Sequence, residues 1–90
     1  MAEVRDNKAK SRFELEVEGQ TAFANYRLAS GVVIITHTET PRSLRGRGIA
    51  SELVKGALGI IRAGGGKVVG ACGFVADYLD KHPEYADIVA

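Results

Sequence analysis

The sequence predicts an α+β domain of order β-β-β-α-β-α: three antiparallel strands in a meander, a crossover helix, a fourth strand parallel to the third, and a closing helix. Three observations carry that prediction. Apolar and polar residues alternate along the early chain, and after Gly48 the apolar period lengthens from two to about 3.6. The glycine-marked breaks between the early strands leave room only for hairpin turns. The helical stretch, by contrast, supplies the length that a right-handed parallel crossover needs.

Residues 1–12 have no apolar periodicity and carry Arg5, Lys8, Lys10 and Arg12 against Glu3 and Asp6. They read as a flexible basic arm before a domain spanning 13–90. Phe13-Glu14-Leu15-Glu16-Val17-Glu18 alternates apolar with acidic side chains, a half-buried strand with Phe13, Leu15 and Val17 inward. Gly19-Gln20 turns the chain into residues 21–28, with Ala22, Ala24, Tyr26 and Leu28 on one face. Ser30-Gly31 is the next turn. Val32-Val33-Ile34-Ile35-Thr36-His37-Thr38-Glu39 is the strongest strand, rich in β-branched residues. Its continuous apolar start implies cover on both faces.

Pro41 ends that strand, because proline cannot donate to a sheet ladder. Ile49, Ala50, Leu53, Val54, Ala57, Leu58, Ile60 and Ile61 then form one stripe opposite Ser51, Glu52, Lys55 and Arg62, a helix of about 14 residues. Gly56 and Gly59 within it cost about 1 kcal/mol each relative to alanine, so they are expected to mark close packing against a strand. Gly64-Gly65-Gly66 ends the helix, and residues 67–72 form a short strand. The last helix opens at Gly73 or Phe74, with Phe74/Tyr78 and Val75/Leu79 paired at i,i+4; Pro83 ends or kinks it before one more turn.

Composition narrows the function classes. Ninety residues, 46% of them hydrophobic and 26% charged, make one small domain able to build a core without metal or disulfide. No apolar stretch approaches the roughly 18 residues of a membrane span, and no apolar block near the start resembles a secretion signal. The expectation is a soluble cytoplasmic protein with no membrane partner. Cys72 is the single cysteine, and with only His37 and His82 beside it no metal site is expected. A net charge of +1 argues against coating nucleic acid. Arg42, Arg45 and Arg47 nevertheless stand without an acid between residues 40 and 51, a local cationic spot suited to a small anion.

That spot lies at a strand–helix junction. A helix start offers unpaired N–H groups and a partial positive charge, and Gly46 and Gly48 let backbone approach a ligand closely. The segment lacks the Gly-Lys-Ser/Thr of a Walker loop and the third glycine of a dinucleotide fingerprint, whose place Ser51 takes. From local chemistry it reads as a phosphate site, a helix-capping loop with solvated arginines, or an RNA contact.

Arg45-Gly46-Arg47-Gly48-Ile49-Ala50 resembles the R/Q-x-x-G-x-G/A acetyl-coenzyme A signature of the Gcn-five-related N-acetyltransferase (GNAT) superfamily. The resemblance runs from about Phe13 to Val89. It is nearest to a small, YjdJ-like branch with a His-Thr-Glu segment before the signature and a cysteine on the following strand, here His37-Thr38-Glu39 and Cys72. The resemblance implies a minimal GNAT-like fold and an acetyl-coenzyme A-dependent N-acetyltransferase. Arg45, Gly46, Arg47, Gly48, Ile49 and Ala50 would then bind the pyrophosphate; Thr38, Glu39 and Thr40 would bind the pantetheine, and Tyr78 would contact the coenzyme. It further implies transfer to an amine such as a protein lysine or N-terminus, either through an acetyl-cysteine on Cys72 with His37 as base or by direct attack of the amine on the bound thioester with Cys72 lining the pocket. The helices that larger members carry between their first two strands are absent, because Gly19-Gln20 leaves space only for a turn. A coenzyme A-binding module or sensor without turnover is the alternative. An RNA-binding domain is a distant third, since such sheets stack bases on exposed aromatics and Phe13 and Tyr26 are assigned inward.

Overall fold

The computed structural model describes residues 3–90. Five strands form one sheet in sequence order: β1 (Arg5–Asn7), β2 (Arg12–Val17), β3 (Gln20–Ala29), β4 (Val32–Glu39) and β5 (Lys67–Gly70). The first four are antiparallel neighbours, and β5 joins β4 in parallel through the crossover helix α1 (Ile49–Ala63). Helix α2 (Gly73–Lys81) follows β5, and a 3-10 turn, Pro83–Ile88, closes the fold. The predicted α+β class and the order of its six elements hold.

The β2–β3 and β3–β4 hairpins are two-residue turns with left-handed backbone at each position, Glu18-Gly19 and Ser30-Gly31. That conformation matches the twist of the paired strands. One apolar cluster holds the layers together. Phe13, Leu15, Ala22, Ala24, Tyr26 and Ile35 project from the sheet onto Leu53, Val54, Ala57, Leu58 and Ile61 of α1, with Val75 and Tyr78 of α2 at its margin.

The structure revises several expectations. Residues 5–7, read as part of a flexible arm, pair with β2 as the edge strand β1. Tyr26 donates to the Asp6 carboxylate at 2.6 Å, and Arg5 and Asn7 donate to Glu14, so the segment is held by partners distant in sequence rather than by its own pattern. Residues 1 and 2 of that arm lie outside the described residues. Leu28 is 71% exposed; opposite Val33 at the end of the sheet, it rims an open recess with Ile60 and Gly64 instead of being covered by α1. Among the described residues no helix covers the second face of β4, where Ile34 is half-buried and its neighbour Val69 exposed. Gly56 does mark close packing, since a Cβ there would stand 2.3 Å from Val4 Cγ2, but one at Gly59 would meet nothing within 4 Å. β5 stops at Gly70, and Cys72 instead caps α2. No helix among the described residues is long and apolar enough to cross a membrane.

One irregularity positions the candidate site. Asn25 pairs with His37 but the next β3 residue, Tyr26, pairs with Ile35, so Thr36 is an extra residue in β4. Directly opposed residues share a face. Ile35 therefore lies with Tyr26 on the helix-covered face, and after this bulge Thr38 lies there too, opposite Ala24. His37 and Glu39, opposite Asn25 and Phe23, take the other face.

Candidate functional site

Between β4 and α1 the chain makes a 3-10 turn, Arg42–Leu44, whose Leu44 is fully buried and anchors the loop. Gly46 and Gly48 then adopt left-handed φ of +79° and +75°. Gly48 caps α1 without a side-chain hydrogen bond, so the amides of the first turn face outward with no side-chain acceptor. They form one wall of a recess of about 230 Å³ lined by Thr40, Leu44, Arg45, Gly46, Gly48, Ile49, Ala50, Ser51 and Phe74. Arg45 is fixed at its rim, its Nε donating to the Thr40 carbonyl at 3.1 Å. Arg47 turns away and donates to Glu18 Oε2 at 2.7 Å, which holds the Glu18 carboxyl below the usual carboxylate range.

Ser51 links this recess to two others, of about 390 and 200 Å³, bordered by Arg47, Lys55, Tyr78, Lys81 and His82. Together they make a groove between the start of α1 and the flank of α2. Tyr78 is buried at 8% exposure and stacked on the His82 ring at 3.8 Å. Burial, then Tyr85 and Glu84, raises the Tyr78 phenol above its ordinary pKa, so it stays protonated.

The third part is a split in the sheet. Pairing of β4 with β5 ends at Ile35 and Gly70, closed by Ala71 N donating to the Ile35 carbonyl at 3.0 Å, while β4 continues to Glu39. Among the described residues, backbone on that edge of residues 36–39 has no strand partner. At the mouth of the split stands Cys72, half-buried, its Sγ 3.6 Å from Thr38 Oγ1. Burial works against a thiolate there. The Thr38 hydroxyl and the backbone N–H groups of Val75, Phe74 and Thr38 outweigh it, and the thiol lies below its ordinary pKa. A cysteine capping a helix is placed to feel the positive end of the helix dipole. Gly70 makes this approach possible: a Cβ there would stand 2.9 Å from the Ala76 backbone nitrogen.

The structure thus brings Arg45, Gly46, Gly48, Ile49, Ala50 and Thr40 together in one recess, and Thr38 with Cys72. It does not bring His37 to Cys72. The bulge puts His37 on the opposite face, where its side chain is 57% exposed and Nε2 lies 4.0 Å from Glu39 Oε2. Thr38 occupies the position beside the thiol. Sequence reasoning also missed Phe74 as a groove residue. Its i,i+4 spacing to Tyr78 suggested core, but Val75 and Tyr78 are buried and Phe74 is 40% exposed. An aromatic in the first turn, one residue off the buried stripe, was the available signal. Among the described residues no group of three or more His, Cys, Asp or Glu could hold a metal ion.

The sequence profile of the GCN5-related N-acetyl-transferase family matches residues 12–88. Among solved structures, the solution NMR structure of a GCN5-like protein from Staphylococcus aureus superposes with a TM-score of 0.74 at 24% identity, covering 98% of this chain and 87% of that one. At that identity the likeness concerns the fold.

Proposed function

The chain belongs to the GCN5-related N-acetyltransferase family, and from that premise we propose that it moves the acetyl group of acetyl-coenzyme A to an amine by way of Cys72. The observation that supports this reading best is the conjunction at one groove of an uncapped helix start, an unpaired strand edge and a half-buried thiol that meets the Thr38 hydroxyl and lies below its ordinary pKa. The amides of residues 46–50 and the Arg45 guanidinium suit a pyrophosphate, for which a helix start is a ready site. The unpaired edge of β4 up to Glu39, with Thr40 just beyond it, can take amide hydrogen bonds, as a strand would. The coenzyme supplies an acetyl group activated as a thioester.

The Cys72 thiolate attacks the thioester carbonyl; its S–C bond forms, the bond to the coenzyme sulfur breaks, and that sulfur leaves as thiolate. The incoming neutral amine attacks the acetyl-cysteine carbonyl; its N–C bond forms, the Cys72 S–C bond breaks to return the thiolate, and the nitrogen's proton passes to solvent. Thr38 and the α2 amides hold the negative charge on Cys72 before the first step and after the second. His37 and Glu39 stand on the uncovered face, where an acceptor amine approaches and must lose protons. That face, with no helix over it, suits an amine protruding from a macromolecule, a lysine or an N-terminus, more than a small enclosed amine.

Calorimetric titration with acetyl-coenzyme A tests the groove; one-site saturation is expected, and no binding would reduce the loop to a helix cap. Intact mass after incubation without acceptor tests the route. An acetyl adduct on the wild type, absent from Cys72→Ala, is expected, together with loss of turnover in that variant. A Cys72→Ala protein that acetylates a lysine peptide at the wild-type rate would establish direct attack by the amine.

A further inference from the structure

The tight turn between β2 and β3 stands where larger members of the family carry helices, and two side chains there, Glu18 of the turn and Gln20 at the start of β3, reach the loop before α1. Glu18 Oε2 accepts from Arg47 Nη2 at 2.7 Å, and Gln20 Nε2 donates to Ser43 Oγ at 2.5 Å. The partners are 29 and 23 residues apart in sequence. They also bracket the loop: Ser43 precedes it within the 3-10 turn, and Arg47 sits between the two left-handed glycines, its most pliable stretch. Glu18 itself holds a left-handed φ of +53° in a hairpin position where asparagine, aspartate or glycine is usual. Glutamate has no local advantage there. Its side chain is long enough to meet Arg47, and Arg47 is among the residues bordering the groove.

We propose that Glu18 and Gln20 are positioning residues that pre-order the phosphate loop, so that Arg47 serves as the loop's tether rather than as a ligand of the pyrophosphate. This rests on the coenzyme A reading of the groove. A loop with two glycines loses conformational freedom when it closes on an anion, and contacts that order it beforehand reduce that loss. The effect therefore belongs in the affinity for acetyl-coenzyme A and not in the chemical step.

Calorimetry and steady-state kinetics on Glu18→Ala, Gln20→Ala, Arg47→Ala and the pairwise doubles test it. Glu18→Ala is expected to weaken coenzyme A binding about threefold, the loss an exposed ion pair carries. With Gln20→Ala added, the loss is expected to reach about tenfold. The KM for acetyl-coenzyme A rises in proportion while kcat and the KM for a lysine peptide stay put, and Glu18→Gln, which keeps an acceptor oxygen, recovers part of the loss. Arg47→Ala equals Glu18→Ala, and their double is no worse than either. Amide hydrogen exchange in the free protein reads the tether without any coenzyme: exchange over Arg45–Ile49 should quicken in Glu18→Ala and stay unchanged elsewhere. Tighter binding in Glu18→Ala, or additive losses in the Glu18/Arg47 double, would overturn the proposal by making Arg47 a direct ligand. Unchanged loop exchange would overturn it as well. A wild type that fails to bind coenzyme A removes the proposed function instead, and the exchange measurement still decides the tether.

Discussion

Replacing Gly48 separates two effects that the loop combines, backbone conformation and anion binding. Gly48 holds φ at +75°, and a Cβ there would meet nothing within 4 Å, so alanine meets no clash and only the left-handed backbone opposes it. That costs about 1–2 kcal/mol. At about 4–8 °C per kcal/mol for a domain this size, Gly48→Ala should melt roughly 5–15 °C lower. Gly48→Glu carries the same backbone cost and adds a negative charge at the start of α1. At a separation of about 5 Å and an effective dielectric between that of water and about 20, each unit charge on a bound pyrophosphate is repelled by about 1–3 kcal/mol. Two such charges, about 2–6 kcal/mol together, weaken binding by about 30-fold or more. The assay is calorimetry with coenzyme A at a temperature where thermal melts show both variants folded. A stability loss in both, somewhat smaller in Gly48→Glu because the helix start favours a carboxylate, is expected, with coenzyme binding retained within about tenfold in Gly48→Ala and lost in Gly48→Glu. A folded Gly48→Glu protein that binds coenzyme A like the wild type would refute the assignment of the helix start as the anion site.

Other expectations follow from single contacts. Glu14, 3% exposed, accepts from Arg12 at 2.6 Å, Asn7 at 3.1 Å and Arg5 at 3.0 Å, and these hold its carboxyl below the ordinary value against the opposing effect of burial. Because the folded pKa is depressed, its stabilisation is complete above the unfolded value near about 4.3 and is lost as pH falls through the folded value. Glu14→Gln should cost about 2 kcal/mol in urea melts at neutral pH and flatten the acid limb; an acid limb identical to wild type would contradict this. Thr38→Val removes the hydroxyl that lowers the Cys72 thiol, so the pH profile of iodoacetamide alkylation should move to higher pH; an unmoved profile would show that the backbone N–H groups of α2 and Thr38 set it. Gly70→Ala drives a Cβ onto the Ala76 backbone nitrogen and should lower stability by about 2 kcal/mol or more while displacing the thiol. Wild-type melting and alkylation rates in that variant would argue against the close approach.

Local pattern made much of this protein legible. Val32–Glu39 reads as a strand from its β-branched run and is one, and the stripe from Ile49 to Ile61 reads as the helix that packs on the sheet. The loop was readable because its chemistry is local: glycines able to take positive φ, arginines, and the helix start lie within six consecutive residues, Arg45 to Ala50. Whatever depends on pairing between distant segments was settled by the tertiary structure. β1 exists because Asp6, Arg5 and Asn7 find Tyr26 and Glu14, partners that no periodicity within residues 1–12 announces. His37 and Cys72 were both visible as reactive side chains. One extra residue at Thr36 turned the alternation of β4 over, sent His37 to the open face and set Thr38 against the thiol. Side chains alternate along a strand with period two, so a single unpaired residue exchanges the faces of everything beyond it. The types of the site residues were written in the chain, and their partners were fixed by where the sheet broke register.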